Sequence, residues 1–230
     1  MKIPYLRRLA LLSLILTGWG FSNVAAQAQQ IVRPPDNGID EGDNFGKNVT
    51  MQGEWAAGGA STDRRDGLTN VGAVYVMRLV EGEWTFHTKL MPDQHRQVSE
   101  MRLGHALAMY GDRLAVMSRV AATNTPAPTP ARVKVSVFHL EGGIWNLEAE
   151  VVTPLSWSDK ATLTLGNERL IVSSALHSGP QEPVIIYHQQ GSGWQAQSFR
   201  RLQFHMGSAW SYQPSSLALE GSTLLIGYPD

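Results

Sequence analysis

Cysteine is absent from the 230-residue sequence. Its absence excludes disulfide bonds, and it also excludes a lipid anchor on a cysteine at the start of an exported chain. A chain of this length can bury a sizeable core. We therefore expect apolar packing alone to hold the folded part together.

The sequence also lacks an excess of charge of either sign. It has 19 lysine and arginine residues against 20 aspartate and glutamate residues, and charged residues make up only 17% of the chain. Binding to nucleic acid or to an anionic membrane surface needs a basic field. Neither is an expected partner.

A long apolar run occurs only near the N-terminus. Basic residues precede it and small residues follow it: Lys2, Arg7 and Arg8, then residues 9–16, then Ala26-Gln27-Ala28. This order predicts a signal peptide over residues 1–28, and hence a secreted, periplasmic or cell-envelope protein. An uncleaved anchor is disfavoured because Thr17, Gly18 and Gly20 interrupt the run short of the roughly 20 residues that span a bilayer. We expect no membrane insertion of the mature chain.

A repeat is the main feature of the remaining sequence. Four segments have the form strand, two-residue turn, strand, and the first turn residues are 58, 56 and 54 positions apart: Gly53, Gly111, Asn167 and Gly221. Glycine and asparagine tolerate positive φ, which a tight primed turn requires at that place. The flanking residues alternate between apolar and polar, which predicts half-buried antiparallel strands.

A second hairpin follows each of the first three. Its strands are predicted over residues 73–79 and 84–87, 133–140 and 145–148, and 183–188 and 194–197, and the later strand begins each time at a tryptophan: Trp84, Trp145 and Trp194. Four strands in about 55 residues are typical of a propeller blade. The sequence therefore predicts an all-β fold of four-stranded antiparallel blades, with the tryptophans packed between blades.

The first unit contains four short motifs in order: Asn44-Phe45-Gly46-Lys47-Asn48-Val49, Gly58-Gly59-Ala60-Ser61-Thr62-Asp63, Asn70-Val71-Gly72-Ala73-Val74-Tyr75-Val76 and Gly82-Glu83-Trp84. These motifs resemble the FG-GAP repeat of integrin alpha N-terminal β-propellers, in its bacterial form. The resemblance fades in the next two units, which have Leu103-Gly104, Met117-Ser118-Arg119, Ser158-Asp159 and Ser173-Ser174-Ala175 in place of the signatures. It returns in the last unit at Ile226-Gly227-Tyr228-Pro229-Asp230.

The repeat gives blades at about residues 44–95, 100–153 and 156–205 and a partial blade at 208–230, after an acidic leader at 29–43. That is an incomplete propeller of about three and a half blades, whereas propellers typically close with about four to eight. We expect either a truncated copy of a longer propeller or closure by pairing of chains. The strand at residues 224–226 would present an apolar edge through which chains could self-associate.

The FG-GAP resemblance also implies a calcium loop between the second and third strands, at residues 63–70. Aligning Asp66-Gly67 with the end of such a loop puts Thr62 and Arg64 at its first two ligand places and Asn70 at its last. Only one carboxylate remains among these ligand places, and an arginine occupies one of them, which is unfavourable for a cation that prefers oxygen ligands. A solvated hairpin loop is the preferred interpretation, and we assign no metal, cofactor-binding or catalytic residue.

Two further segments are predicted to lie at the surface. The run at residues 36–43 has four carboxylates without calcium-ligand spacing, and a flexible leader is its preferred interpretation. Residues 121–131, rich in proline and threonine, form an extended loop in the same topological position as residues 63–70. Because both loops follow second strands, we expect them on one face of the propeller, where a protein or a glycan would bind.

Local motifs of catalysis are missing. No histidines have metal-ligand spacing, no nucleophile elbow occurs, and Ser192 lies in a predicted turn. His87, His139 and His188 lie in or at the ends of strands, and Asn48-Val49-Thr50 is a glycosylation sequon by pattern alone. The leading hypothesis is a non-catalytic interaction module. The alternatives are a propeller-type hydrolase or lyase and a copy without independent function.

Overall fold

The structure is a computed structural model that describes residues 40–92, 98–122, 129–174, 184–191, 193–197 and 216–227. All of them belong to the compact unit Val32–Asp230. The predicted signal peptide and most of the acidic leader lie outside the described residues. Within the described ranges every regular element is a β-strand, which confirms the all-β prediction.

In the described part of the chain, fourteen strands form four antiparallel sheets in chain order. Sheet 1 contains β1 Val49–Gln52, β2 Trp55–Ala60, β3 Ala73–Val80 and β4 Glu83–Leu90. Sheet 2 contains β5 Leu107–Tyr110, β6 Arg113–Val120, β7 Arg132–Glu141 and β8 Ile144–Ser156. Sheet 3 contains β9 Thr162–Gly166, β10 Arg169–Ser173, β11 Val184–Gln190 and β12 Gly193–Ala196, and sheet 4 contains β13 Ser216–Glu220 and β14 Thr223–Gly227.

The predicted first hairpins have two-residue turns, as the spacing indicates. At Gly53, Gly111 and Gly221 φ is 58°, 60° and 54°, so these glycines take the left-handed conformation that the turn requires. The prediction is wrong for Asn167, because in the third hairpin the left-handed residue is Glu168, with φ 54°. Without glycine at the first place, that turn puts its positive φ second, as type II turns do.

The sheets stack with their first strands side by side. β1 packs against β5, β5 against β9, and β9 against β13. One apolar core lies between sheets 1 and 2 and includes Trp55, Val76, Val116 and Trp145. A larger core lies between sheets 2 and 3 and consists mainly of aliphatic residues such as Val135 and Leu170.

Glycines allow backbone to touch backbone where sheet 1 meets the start of sheet 2. A Cβ atom on Gly59 would collide with the carbonyl of Gly104, and one on Gly72 would collide with the backbone of Leu103. Gly72 and Leu103 also form an isolated parallel bridge. The amides of Gly46 and Gly104 donate at 3.0 Å to the carbonyls of Gly59 and Met117, which are also 58 residues apart. The sequence repeat is therefore a repeat of hydrogen bonding as well.

The three repeated tryptophans do not all occupy the same environment. Trp145 is buried between sheets 1 and 2, edge to face with Trp55 at 5.5 Å, and Trp194 packs on the core between sheets 2 and 3. Packing between sheets is thus confirmed for these two. Trp84 instead packs on Tyr75 and Met77, on the face of sheet 1 that points away from sheet 2.

Candidate functional site

The loops of interest gather at one end of sheets 1 and 2, which we call the loop end. β2, β4 and β6 finish there, and the following strands begin there. The loop after β2 contacts the segment before β5 through backbone hydrogen bonds from Glu100 to Thr69 at 2.9 Å and from Arg102 to Asn70 at 2.8 Å. In the same segment, the carbonyl of Met101 accepts a hydrogen bond of 2.6 Å from the backbone amide of Arg119, at the end of β6. The two repeat units are therefore joined at this end.

A buried ion pair lies at the loop end of sheet 1. Lys89 Nζ is 2.6 Å from Asp63 Oδ2, and both side chains are largely buried. Lys89 also lies 4.7 Å from the ring centre of Tyr75. Burial by itself lowers the pKa of Lys89, but its hydrogen bonds to Asp63 and Tyr75 outweigh burial and raise that pKa above its ordinary value. For Tyr75 the effect of burial is the opposite, since it raises the pKa of the hydroxyl above its ordinary value.

Two of the ligand places considered in the calcium-loop alignment, Thr62 and Asn70, form side-chain hydrogen bonds within the protein. Thr62 Oγ1 donates to Gly42 O at 2.6 Å and accepts from Asn44 Nδ2 at 2.9 Å. Asn70 Nδ2 donates to Glu100 Oε1 at 2.6 Å. Arg65 and Leu68 exchange backbone hydrogen bonds of 3.1 and 2.7 Å around Asp66 and Gly67, which both have positive φ. The loop thus contains a tight hairpin of its own.

The end of the acidic run differs from a flexible leader. Asp43 is only 5% exposed. Its carboxylate accepts the amide of Asp40 at 2.7 Å, and its carbonyl accepts the amide of Thr62 at 3.3 Å. Because the side chain caps a turn that packs against the loop after β2, this aspartate belongs to the folded unit. Residues 36–39 lie outside the described part of the chain.

A chain of polar contacts crosses from the first repeat unit to the third. Glu100 accepts from Asn70, and its Oε2 also pairs with Arg102 at 3.1 Å. Arg102 Nη1 reaches Asp159, just after β8, at 3.0 Å. The hydrogen bond from Asn70 and the neighbouring arginine keep the pKa of Glu100 below its ordinary value. Sequence reasoning missed this chain because its members are 30 and 57 residues apart.

His105 is a buried histidine at this end. It is 8% exposed and its ring lies 4.6 Å from that of Trp157. Burial lowers the pKa of His105, so the neutral imidazole is favoured. It therefore serves as a packing residue beside the polar chain.

A groove lies beside the loop end, between the segment that leads from sheet 1 to sheet 2 and the outer strands of sheet 2. Its volume is about 270 Å³, and most of its walls are apolar: Met91, Pro92, Met101, Leu103, Phe138 and Leu147. The polar lining consists of Lys134, Ser136 and Glu150. Lys134 Nζ pairs with Glu150 Oε1 at 2.6 Å, so the two opposite charges neutralise each other on the groove wall.

The three strand histidines lie on β4, β7 and β11 as predicted, and each makes one surface hydrogen bond. His87 contacts Gly143 O at 2.9 Å, His139 contacts Asp112 at 2.8 Å and His188 contacts Gln197 at 2.7 Å. No group of three metal-ligating side chains occurs among the residues that the structure describes. Ser192 and residues 123–128 of the proline-rich loop lie outside them.

No protein-family model matches the chain, and no curated protein matches it. Membership of the FG-GAP family therefore stays a prediction. Among solved structures, the chain is similar to Morganella morganii TcdA4, determined by cryo-electron microscopy, with 11% sequence identity and a TM-score of 0.35. The match covers 63% of this chain and spans only 7% of that chain's length. A likeness at this level carries no argument about function. No helix in the described ranges has the length and apolar character to cross a bilayer.

Proposed function

We propose that this chain is an exported, non-catalytic β-propeller repeat protein of the FG-GAP type that binds a partner at its loop end. Two features support the propeller architecture: four-stranded antiparallel sheets follow one another in chain order, and their first strands stack side by side. Blades arranged round an axis have this order. The signal-peptide pattern of residues 1–28 supports export.

The groove beside the loop end is the observation that carries the binding proposal. Six of its nine lining residues are apolar, and Leu147 on its rim is 54% exposed. Apolar concavities with a few polar groups are typical binding sites. Such a lining suits the side chains of a peptide segment better than the hydroxyls of a sugar. We therefore favour a protein partner over a glycan.

The polar residues of the loop end support binding rather than hydrolysis. Asp63 pairs with Lys89, and Glu100 and Asp159 pair with Arg102. A hydrolase or lyase needs acid and base groups that face a shared substrate site. Here Asp63, Glu100 and Asp159 are each paired with a neighbouring cation, and these pairs link the loops.

Panning a library of displayed random peptides over the purified chain, beside a glycan array, tests this function. We expect peptides with apolar anchor residues to be selected. Their affinity for the Leu147→Asp variant should be at least about tenfold lower than for the unchanged chain, because burying an aliphatic side chain is worth about 2 kcal/mol. The matched control is Ile144→Asp, on the same strand β8 and 63% exposed but away from the groove lining.

The outcomes separate the alternatives. Glycan binding without peptide binding would replace the protein partner by a sugar. Peptides that bind both variants equally would remove the groove from the proposal. Turnover of a peptide or glycan would make the chain an enzyme and overturn the proposal.

A further inference from the structure

Each junction between sheets is built from the same two rows of residues. The first row lies on the first strand of a sheet and faces the preceding sheet, and the second row lies on the second strand and faces the following sheet. In the second and third sheets the first row is Leu107 and Met109, then Leu163 and Leu165. Leu107 and Met109 pack on the core between sheets 1 and 2, and Leu163 and Leu165 are buried in the core between sheets 2 and 3.

The second row consists of residues at the positions equivalent to Ala57. Ala57 is 2% exposed in sheet 1, and Ala115 and Ile171, which follow at intervals of 58 and 56 residues, are buried in sheets 2 and 3. The first two junctions thus each have a buried alanine on one sheet, Ala57 or Ala115, and a pair of long apolar side chains on the next.

Among the residues that the structure describes, one row in sheet 1 and one row in sheet 4 are exposed. In sheet 1 the first row is Val49 and Met51, which are 69% and 68% exposed. In sheet 4 the second row falls on Leu225, 54 residues after Ile171, and it is 70% exposed. These are among the most exposed large apolar side chains in the described part of the chain, although their repeat equivalents are buried or partly buried. Exposed apolar rows of this kind mark interaction surfaces.

The two exposed rows occupy complementary places in the repeat. Leu225 is equivalent to the residues that cover a first row, and Val49 and Met51 are equivalent to the residues that are covered. Both rows are exposed in the folded chain, so they do not cover each other within it. We propose that a second copy of this chain docks head to tail, with the Leu225 face of sheet 4 in one copy on the Val49 and Met51 face of sheet 1 in the other.

The mode of contact has consequences for assembly. The contact joins two different surfaces, so it is heterologous, and it gives a ring if the rotation closes or an open series if it does not. The contact uses the faces of the sheets, whereas the self-association predicted from residues 224–226 uses the edge of a strand. None of Val49, Met51 and Leu225 lines the groove.

Complementation between two variants tests the proposal. Met51→Lys removes one half of the interface and Leu225→Lys removes the other. Each variant alone should therefore associate at least about tenfold more weakly than the unchanged chain, since the contact loses a buried apolar side chain. An equimolar mixture should regain one intact contact and form a heterodimer. Size-exclusion chromatography with light scattering measures both effects, and circular dichroism checks that each variant is folded.

Ile144→Lys is the control, because it places the same charge on an equally exposed apolar site away from both rows, and it should associate like the unchanged chain. An unchanged chain that stays monomeric at about 0.1 mM would overturn the proposal, since that corresponds to negligible affinity. Loss of association in only one variant would also overturn it. That result would indicate an isologous contact, in which both copies use the same surface. Aggregation that neither substitution weakens would also overturn the proposal.

Discussion

The junction between sheets 1 and 2 and the junction between sheets 2 and 3 are made in different ways. At the first, Gly59, Gly72 and Gly104 let the backbones touch, and two tryptophans meet edge to face. At the second, Met117 stands at the position equivalent to Gly59, is fully buried, and packs with valine, leucine and isoleucine side chains. The same stacking of sheets therefore survives loss of the glycine signatures. The signatures mark close backbone contact, and the apolar rows maintain the fold.

The largest expected effect tests the aliphatic junction. Leu170 is fully buried in the core between sheets 2 and 3. Leu170→Ala should lower the free energy of unfolding by about 3 kcal/mol, because it removes buried methyl groups and leaves a cavity. Urea denaturation monitored by tryptophan fluorescence measures the change.

Leu147→Ala is the matched control for this substitution. The same atoms are removed from a side chain that is 54% exposed, and the loss should stay below about 1 kcal/mol because little buried area disappears. Equal losses at the two positions would show that the second junction is loosely packed. The contrast between the junctions would then fail.

The glycine junction should respond to an added atom. A methyl group on Gly59 would collide with the carbonyl of Gly104, and backbone cannot move aside as a flexible side chain can. Gly59→Ala should therefore destabilise the protein by about 2 kcal/mol through overpacking. Denaturant midpoints of the variant and the unchanged chain give the value.

Gly193→Ala provides the comparison within another strand. Gly193 lies in β12, its φ is not left-handed, and an added Cβ would meet only Gln190 O at an ordinary 3.7 Å. Its substitution should change stability by no more than about 0.5 kcal/mol. A Gly59 variant as stable as this control would mean that the first junction has room to separate, and the glycine signature would lose its steric explanation.

Local patterns predicted the elements well, because turn chemistry and alternation act over a few residues. The glycine turns at positions 53, 111 and 221 follow from the need for positive φ, and Trp145 lies between sheets as its repeat position indicates. The environment of Trp84 could not be derived in the same way, since it depends on whether a neighbouring sheet covers that face.

The candidate site was much less predictable. Asp63 begins the segment compared with a calcium loop in the sequence, and in the structure it pairs with Lys89, 26 residues further on. The groove combines residues from the segment before β5 with residues of β7 and β8. Such contacts are set by how sheets pack against each other, and no spacing along the chain encodes them. One sequence signal was available: residues 63–70 and 121–131 both follow the second strand of their repeat unit, which predicted that the two loops lie at the same end.

The smallest expected effect concerns the polar link across the first junction. Asn70→Ala removes the hydrogen bond that, together with Arg102, keeps the pKa of Glu100 low, so that pKa should rise towards its ordinary value. A lowered carboxyl pKa stabilises the fold above the unfolded pKa of about 4.3, and that contribution disappears as the pH falls through the folded pKa. The stability lost near neutral pH should be less than about 1 kcal/mol, because Glu100 is partly exposed and screened by solvent.

NMR titration of the Glu100 carboxyl carbon measures its pKa. Asn146→Ala is the control and should leave that pKa unchanged, because the Asn146 side chain donates to Ile144 O and has no contact with Glu100 in the described hydrogen bonds. If the Glu100 pKa is equally low in both variants, the link is held by Arg102 alone, and the first junction depends on its glycines and apolar rows without help from the loop.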